Sequence, residues 1–293
     1  QDRDTALASL VDALNADGGT WAFAPSPAAV PADEDVIRTA FIYDSEVVTL
    51  DGDSTILLED PAFSNAREPL AQAFSPVSNP DYSFLAVANH FKSKGGDCGD
   101  LPEGCFDADR VAQAQALTAF AAETADAAQL EDIFLVGDFN SYSAENPAVA
   151  IEDAGYTNLN SEYAQETTYV FGGKVGSLDH VYANDSALAR VTGADVWRIN
   201  AEDSVLAEYS RWNYFASEHV ELGSPFRASD HNPVLVGLDV PDGGTPGTST
   251  IDILSINDFH GRIEAAGQSA GAAVLACVVD DYRDANPNTL FVS

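Results

Sequence analysis

The sequence predicts an α/β protein in which helices cover stacked sheets. Three observations predict this class: short apolar runs of strand length recur along the chain, a few segments have apolar residues at helical spacing, and several strand-like runs end in Asp, Asn or His. A buried strand that ends in such residues delivers them to one edge of a sheet. The sequence therefore also predicts a polar site at that edge.

Apolar periodicity places the elements in chain order. A helix is predicted over residues 5–15 because its apolar residues recur at helical spacing, and Asp17-Gly18-Gly19 marks its end. The longest helix is predicted over the Ala-, Gln- and Leu-rich residues 109–128. The predicted strands are residues 36–43, 47–50, 84–91, 133–136, 178–183, 234–240 and 251–256. Residues 241–250 are rich in Gly, Pro and Thr and are predicted to be a linker. The predicted domains are therefore residues 1–240 and, after the linker, the start of a second domain at 251–293.

The charge balance is strongly acidic, with 13 Lys and Arg against 47 Asp and Glu and a net charge of −34. Such a charge repels polyanions and excludes a nucleic-acid binder that works through a broad basic surface. Either the substrate is not a polyanion, or the acidic surface is a general adaptation and contact is local. The second interpretation is favoured because the few cations are unevenly placed, and Lys92 and Lys94 stand at the signature of His90. No apolar run approaches the roughly 20 residues of a membrane span, and no protein partner is predicted.

Cys98 and Cys105 bracket a loop rich in Gly, Asp and Pro. Two Cys in such a loop predict a disulfide and therefore an oxidising compartment. Two free thiols, or half of a zinc site, are the alternatives. Cys277 lies in an apolar stretch and is predicted to be a small buried side chain.

Four polar signatures follow or overlap strand-like runs. They are Asn89-His90-Phe91-Lys92-Ser93-Lys94, Gly137-Asp138-Phe139-Asn140, Ser177-Leu178-Asp179-His180 and Ser229-Asp230-His231-Asn232. Asp138, Asn140 and Asp230 offer oxygen ligands of the kind that Mg²⁺ prefers. Asp179 is suited to orient His231, and His90 is a second group for proton transfer or phosphate contact. Each residue alone could simply end a strand or cap a helix, so the prediction rests on the set.

As a set these motifs resemble the endonuclease/exonuclease/phosphatase superfamily, which includes deoxyribonuclease-I-like enzymes. Residues 37–43, residues 89–96 and the nearby Cys pair most resemble its bacterial secreted extracellular nucleases. The resemblance covers roughly residues 1–240. It implies a four-layer α/β sandwich, in which two stacked mixed sheets are flanked by helices, and Mg²⁺ or Mn²⁺ as cofactor, with Ca²⁺ as a further candidate.

The resemblance also implies roles for individual residues. Asp138 and Asn140 would orient the attacking water and contact the phosphate, and Asp138 and Asp230 would hold the metal. His231, supported by Asp179, would act in general-base or transition-state chemistry, and His90 would face the phosphate or the leaving group. Two cations are candidate substrate contacts: Lys92, and Arg67, which resembles a phosphate-binding arginine, with a solvated loop arginine as the alternative.

One part of the family pattern has no counterpart in this chain. The resemblance implies a principal metal-binding Glu, with an Asn before it, on strands that precede the first helix, whereas Glu34 and Glu46 follow that helix. We therefore expect an N-terminally truncated fragment without its first strands. Such a fragment should bind metal weakly and be poorly active.

Asp258 and His260 follow the apolar run at the start of the predicted second domain. Their pattern resembles the opening of bacterial 5′-nucleotidases, which implies the first strand and helix of an α/β metallophosphoesterase domain. Two divalent metals would bind to the complete domain, and nucleotides would be its substrates. The alternative is a strand end with an incidental His.

Together these patterns predict a bacterial phosphodiesterase, secreted to the extracellular space or the periplasm, that cuts DNA or RNA. Its fusion to a nucleotidase would serve phosphate or nucleoside scavenging. Two alternatives stay open: the same type of site acting on a phospholipid or sugar phosphate, and an acidic binding module without catalysis.

Overall fold

The structure is a computed structural model that describes residues 3–16, 18–32, 37–99, 101–164, 166–204 and 227–241, and the backbone of residues 249–255 and 289–292. The helices of these residues are α1 (Thr5–Ala16), α2 (Asp107–Ala128), α3 (Asn146–Asp153), α4 (Leu159–Tyr163) and α5 (Asp185–Leu188), with one 3₁₀-helix at Pro61–Phe63.

The strands are distributed along the whole described chain. They are β1 (Trp21–Phe23), β2 (Ile42–Asp44), β3 (Val48–Leu50), β4 (Thr55–Ile56), β5 (Arg67–Pro76), β6 (Phe84–His90), β7 (Ile133–Asp138), β8 (Tyr156–Asn158), β9 (Tyr169–Phe171), β10 (Lys174–Gly176), β11 (Asp179–Asn184), β12 (Val191–Val196), β13 (Val234–Val240), β14 (Ser249–Ser255) and β15 (Thr289–Val292). The predicted α/β class is confirmed, with mixed sheets and few helices.

The larger sheet has seven strands in the order β3-β5-β6-β7-β11-β8, with β4 paired to β5. β6 and β7 are parallel, and the other pairs of this sheet are antiparallel. A parallel pair requires a crossover connection, which here contains the 22-residue helix α2. Because β6 and β7 run in the same direction, both strands end at the same edge of the sheet.

The second sheet has the order β12-β13-β14-β15. β14 contains most of the strand that was predicted to open the second domain, and it pairs with β13 in antiparallel register. β15 is parallel to β14. The division into two domains stays a prediction.

Apolar side chains cover both faces of the larger sheet. Successive residues of β6, such as Phe84 and Leu85, belong to different apolar clusters on the two faces of the sheet. Phe84 belongs to a cluster with the buried side chains of β13, and Leu85 belongs to a cluster with α2. Strands covered on both faces are near-continuous apolar runs, as β6 and β7 are in this sequence. A third cluster joins α1 to β1, β2 and Leu235 of β13.

The strand predicted over residues 36–43 is shorter in the structure. Of these residues Ile42 and Tyr43 belong to β2, which pairs with β1, a strand that was not predicted. After Ala24, whose amide donates to the Phe41 carbonyl at 3.0 Å, comes Pro25, which has no amide hydrogen. The ladder therefore stops there, and Ile37 to Ala40 lie outside the strand.

The ten-residue strand β5 was also not predicted, because Pro69 and Pro76 argue against a strand interior. In the structure the register with β6 shifts between Arg67 and Leu70, so Pro69 lies at the irregularity, and Pro76 is the last residue. Both positions tolerate the missing donor. As a result β5 fills the place beside β6.

The predicted disulfide between Cys98 and Cys105 is confirmed, with 5.6 Å between the Cα atoms. The buried Arg110 of α2 holds this loop to the end of β6, because its guanidinium donates to the carbonyls of Cys105 at 2.7 Å, Glu103 at 2.9 Å and Lys92 at 3.2 Å. Cys277 lies outside the described residues. Among those residues, no helix is long and apolar enough to cross a membrane.

Candidate active site at one edge of the larger sheet

Four polar residues form a row across neighbouring strands of the larger sheet. The pairing places Arg67 of β5 opposite His90 of β6, His90 opposite Asp138 of β7, and Asp138 opposite Asp179 of β11. We call these four residues the site edge. Strand pairing thus brings Arg67 and Asp179, which are 112 residues apart in the sequence, to the same edge of the sheet.

Gly137 sets the close approach of β6 and β7 just before the site edge. Its φ is +135°, a region that side chains rarely adopt, and a Cβ at this position would lie 2.0 Å from the carbonyl oxygen of Asn89. Only glycine fits this place. The Asn89 side chain donates to the Val136 carbonyl at 2.8 Å and joins the two strands further.

Asn140 fixes the carboxylate of Asp138. Its backbone amide donates to Asp138 Oδ1 at 2.7 Å, and its Nδ2 donates to Asp138 Oδ2 at 3.0 Å and to the Phe91 carbonyl at 3.1 Å. Asn140 has φ +46°, a left-handed conformation in which Asn is several-fold enriched. Asn140 therefore holds both oxygens of the Asp138 carboxylate in place.

His90 lies beside the same carboxylate, with 3.6 Å between its Nε2 and Asp138 Oδ2. The separation is too long for a hydrogen bond but short enough for an electrostatic contact when the imidazole is protonated. The imidazole is therefore close to any group that Asp138 binds.

Asp179 and His231 form a buried pair, with 2.8 Å between Asp179 Oδ2 and His231 Nδ1. The amide of His231 donates to Ser229 Oγ at 3.0 Å, and the Tyr169 ring packs on the imidazole at 4.5 Å between centroids. Burial disfavours the imidazolium, but the charge and hydrogen bond of Asp179, followed by the charges of Asp138 and Asp230, outweigh it and raise the pKa of His231 to about 10. The contact with Asp179 thus fixes the orientation of the imidazole through its Nδ1.

The carboxylates around this pair fit a divalent cation. One ligand atom each of Asp138, Asp179 and His231 lies within 4.8 Å of the others. Asp230 Oδ1 is buried and has no hydrogen-bond partner among the described residues, which is costly for a carboxylate oxygen unless a cation or water meets it. Asp138 thus belongs both to this group and to the predicted metal ligands, whereas Asp230 is not part of the group.

The two predicted substrate-binding cations, Arg67 and Lys92, lie in different surroundings. Arg67 is the first residue of β5 and lines a pocket with Arg3 and Arg38, so it is not a solvated loop arginine. Lys92 Nζ lies 5.0 Å from the centroid of the Phe106 ring, which directs this side chain to the disulfide loop. The predicted metal ligands Asp258 and His260 lie outside the described residues.

Thr168 was missed by the sequence analysis although it joins the two halves of the site. Its buried Oγ1 accepts from the amides of Leu178 at 3.1 Å and Asp179 at 3.2 Å, and its carbonyl accepts from the Asn232 amide at 2.7 Å. It therefore positions Asp179 against the segment of His231. No pattern in the sequence distinguishes this Thr from exposed ones.

His180, although adjacent to Asp179, points away from the pair. Its Nε2 lies 2.9 Å from the Ser141 carbonyl, and its Nδ1 lies 3.2 Å from Asn158 Nδ2, so Nε2 donates and Nδ1 accepts. Burial lowers the pKa of His180 despite the opposing effects of its hydrogen bond to Ser141 and the charge of Asp179. His180 is thus a neutral positioning group that fixes the loop after Asn140.

Comparison with known proteins gives structural neighbours alone: no protein-family model matches this chain, and no curated protein matches it. The similar solved structures include endonuclease/exonuclease/phosphatase family proteins. One from Bacteroides thetaiotaomicron and that organism's mannosyl-6-phosphatase each share 17% identity and a TM-score of 0.40 over 53% of this chain, covering 56% and 59% of theirs. One from Bacteroides vulgatus shares 14% identity and a TM-score of 0.43 over 68% of this chain and 69% of its own. The chain spans little more than half the length of the first two.

Proposed function

We propose that this chain carries the active site of a metal-dependent phosphodiesterase that hydrolyses DNA or RNA. The observation that supports this most is the site edge itself: an arginine, an imidazole and two carboxylates lie in one row, with His231 bound to Asp179. A phosphodiester needs these groups, namely a cation for its charge, an acceptor that orients water, and a proton donor for the leaving oxygen.

The residues divide these tasks according to their contacts. Asp138, held by Asn140, orients the attacking water, and Asn140 would contact the phosphate. The Asp179–His231 pair holds a proton at neutral pH, so it stabilises the negative charge that develops on the phosphate oxygens. His90 lies next to Asp138 and serves the phosphate or the leaving oxygen.

Asp138 and Asp230 would hold Mg²⁺ or Mn²⁺, with Ca²⁺ as a further candidate, and the ion would supply charge neutralisation at the phosphate oxygens. The buried Oδ1 of Asp230 supports this assignment. Arg67 would contact the phosphate from β5, and Lys92 would meet the substrate strand further out, beside Phe106.

The wider proposal is a secreted bacterial protein in which a four-layer α/β sandwich is followed by a 5′-nucleotidase-like domain. The disulfide supports an oxidising compartment. Apolar clusters on both faces of the larger sheet and beneath α1 support the layers. The Asp258 and His260 pattern after the linker supports the nucleotidase.

The test compares the intact natural protein with its Asp230→Asn and Asp239→Asn variants on plasmid DNA and on single-stranded RNA. Asp239 is an exposed carboxylate on β13, so its variant makes the same charge change away from the site. We expect EDTA to abolish cleavage and Asp230→Asn to lower kcat by about 100-fold or more, with Asp239→Asn near the wild type. A wild-type protein that cleaves neither nucleic acid at any salt concentration would overturn the proposal.

The net charge of −34 favours a second candidate, a phosphoesterase for a phospholipid or a sugar phosphate, because these substrates are repelled less than a polyanion. Salt separates the two candidates. Cleavage of DNA should rise as salt screens the surface charge, whereas cleavage of a small monoester should change little. Metal-dependent cleavage of only sphingomyelin or a sugar phosphate would support the second candidate, and no cleavage of any ester would indicate a binding module.

A further inference from the structure

A short hairpin projects beside the site edge. Its strands are β9 and β10, with Phe171 opposite Lys174 in the antiparallel register. The turn consists of Gly172 and Gly173, both at positive φ (+58° and +76°), as a two-residue hairpin turn requires.

The base of this hairpin is fixed between two aromatic contacts. On one side the Tyr169 ring packs on His231, and the two residues form a backbone bridge. On the other side a Cβ at Gly176 would lie 2.4 Å from the Tyr142 ring, so the strand lies directly against that ring. Through Tyr169 the base of the hairpin is therefore in direct contact with the candidate catalytic imidazole.

The hairpin tip is apolar and exposed. Phe171 and Val175 are 70% and 66% exposed, the highest values among the large apolar side chains of the described residues. The Phe171 ring is stacked on Tyr169 with an interplanar angle of 9° and 6.1 Å between centroids. The rings of His231, Tyr169 and Phe171 thus lie in a row, in which Tyr169 is tilted by 35° to His231 and parallel to the exposed Phe171.

We propose that Phe171, flanked by Val175, stacks on an unpaired nucleobase of the substrate strand whose phosphate lies at the site edge. This inference rests on the proposed function and narrows its substrate class to single-stranded or locally unpaired nucleic acid. Stacking on an aromatic side chain tolerates any base and supplies affinity without a broad basic surface. That is the kind of contact that a chain of net charge −34 needs for a polyanion, and Lys174 adds one cation beside the ring.

A lipid surface explains the hairpin less well. Two exposed side chains offer little area for insertion into a bilayer, and membrane-binding segments usually combine a larger apolar face with several cations. The parallel arrangement of the two rings instead offers one flat face, which matches a planar base. Binding to vesicles is therefore an outcome of the test and not part of the proposal.

The experiment compares two substrates of equal length and charge, a short single-stranded oligonucleotide and the same strand with abasic sites, using the intact protein. The quantity measured is the kcat/KM of the intact strand divided by that of the abasic strand. The Kd values of uncleavable phosphorothioate versions of both strands are measured in parallel. We expect Phe171→Ala to lower this ratio by about 5- to 100-fold, mainly through KM, because one base–aromatic stack is lost. Phe171→Trp should restore the ratio. The control is Val77→Ala, which also removes exposed apolar surface. Val77 follows the last residue of β5, whereas Arg67 is the first, so this variant should leave the ratio unchanged.

The outcomes separate this inference from the proposed function. If the wild type cleaves nucleic acid but Phe171→Ala keeps the wild-type ratio and Kd, the stacking role is overturned and the phosphodiesterase stands. If Phe171→Ala instead abolishes sedimentation with phosphatidylcholine vesicles, the hairpin is a lipid contact and the inference is wrong. If the wild type neither cleaves nor binds any nucleic acid, both proposals fail together.

Discussion

Replacing Asp179 by Asn removes the charge that holds a proton on His231. The two side chains are buried and 2.8 Å apart, and the pKa of His231 rises from 6.5 to about 10. At 1.36 kcal/mol per pKa unit this rise corresponds to about 5 kcal/mol of stability. Breaking a buried pair by removing one partner costs about 3–5 kcal/mol, so the two routes agree.

The pH dependence follows from the direction of the shift. Because the folded pKa lies above the unfolded pKa, the stabilisation is fully present below pH 6.5 and is lost as the pH rises toward 10. Asp179→Asn should therefore lower the free energy of unfolding by about 3–5 kcal/mol near pH 6. The difference from the wild type should narrow as the solution becomes alkaline. Since His231 then loses its orienting partner, kcat should also fall by about 10²- to 10⁴-fold.

The assay is NMR titration of the His231 ring in EDTA, together with urea unfolding at several pH values. Asp126→Asn, on the exposed face of α2, makes the same change of charge away from the pair and should behave like the wild type. A wild-type His231 that titrates near 6.5, or one whose pKa is unchanged by Asp179→Asn, would refute the reasoning.

Three further variants test the site and its frame. Asp230→Asn should weaken Mn²⁺ binding by about 10-fold or more in calorimetry, because a buried carboxylate oxygen is lost; unchanged affinity would remove Asp230 from the metal site. Gly137→Ala should cost at least about 2 kcal/mol in urea unfolding, because its Cβ would meet the Asn89 carbonyl, whereas Gly193→Ala, which meets nothing within 4 Å, serves as the control. Arg110→Met should leave three carbonyls without their donor and lower stability by about 2–4 kcal/mol; an unaltered midpoint would contradict that role.

The elements with strong local signals were predictable from the sequence. The helix expected at 109–128 is α2, the strand expected at 84–91 is β6, and the strand expected at 234–240 is β13 with the same bounds. Each is a long periodic or continuous apolar run, in which local pattern and tertiary burial agree. β1 and β5 were not found, since three residues carry little periodicity and two prolines oppose a strand.

The sequence indicated His231 as the partner of Asp179, but it gave no role to His180. His180 and His231 both stand in polar signatures next to an Asp, yet His231 binds Asp179, whereas His180 points to the Ser141 carbonyl. Successive side chains of a strand alternate between faces, so which face meets the site depends on the pairing of β11 and not on the motif.

The sequence by itself determined which chemical groups this protein carries and that they end its buried strands. Local apolar patterns and polar signatures are properties of short segments, and they identified His90, Asp138 and Asp179 as members of one candidate site. The tertiary structure alone decided that Arg67 completes their row, that His180 faces the Ser141 carbonyl, and that Phe171 stands exposed on the hairpin beside His231. These facts depend on strand register and on packing between distant segments, and neither is encoded in any single stretch of the chain.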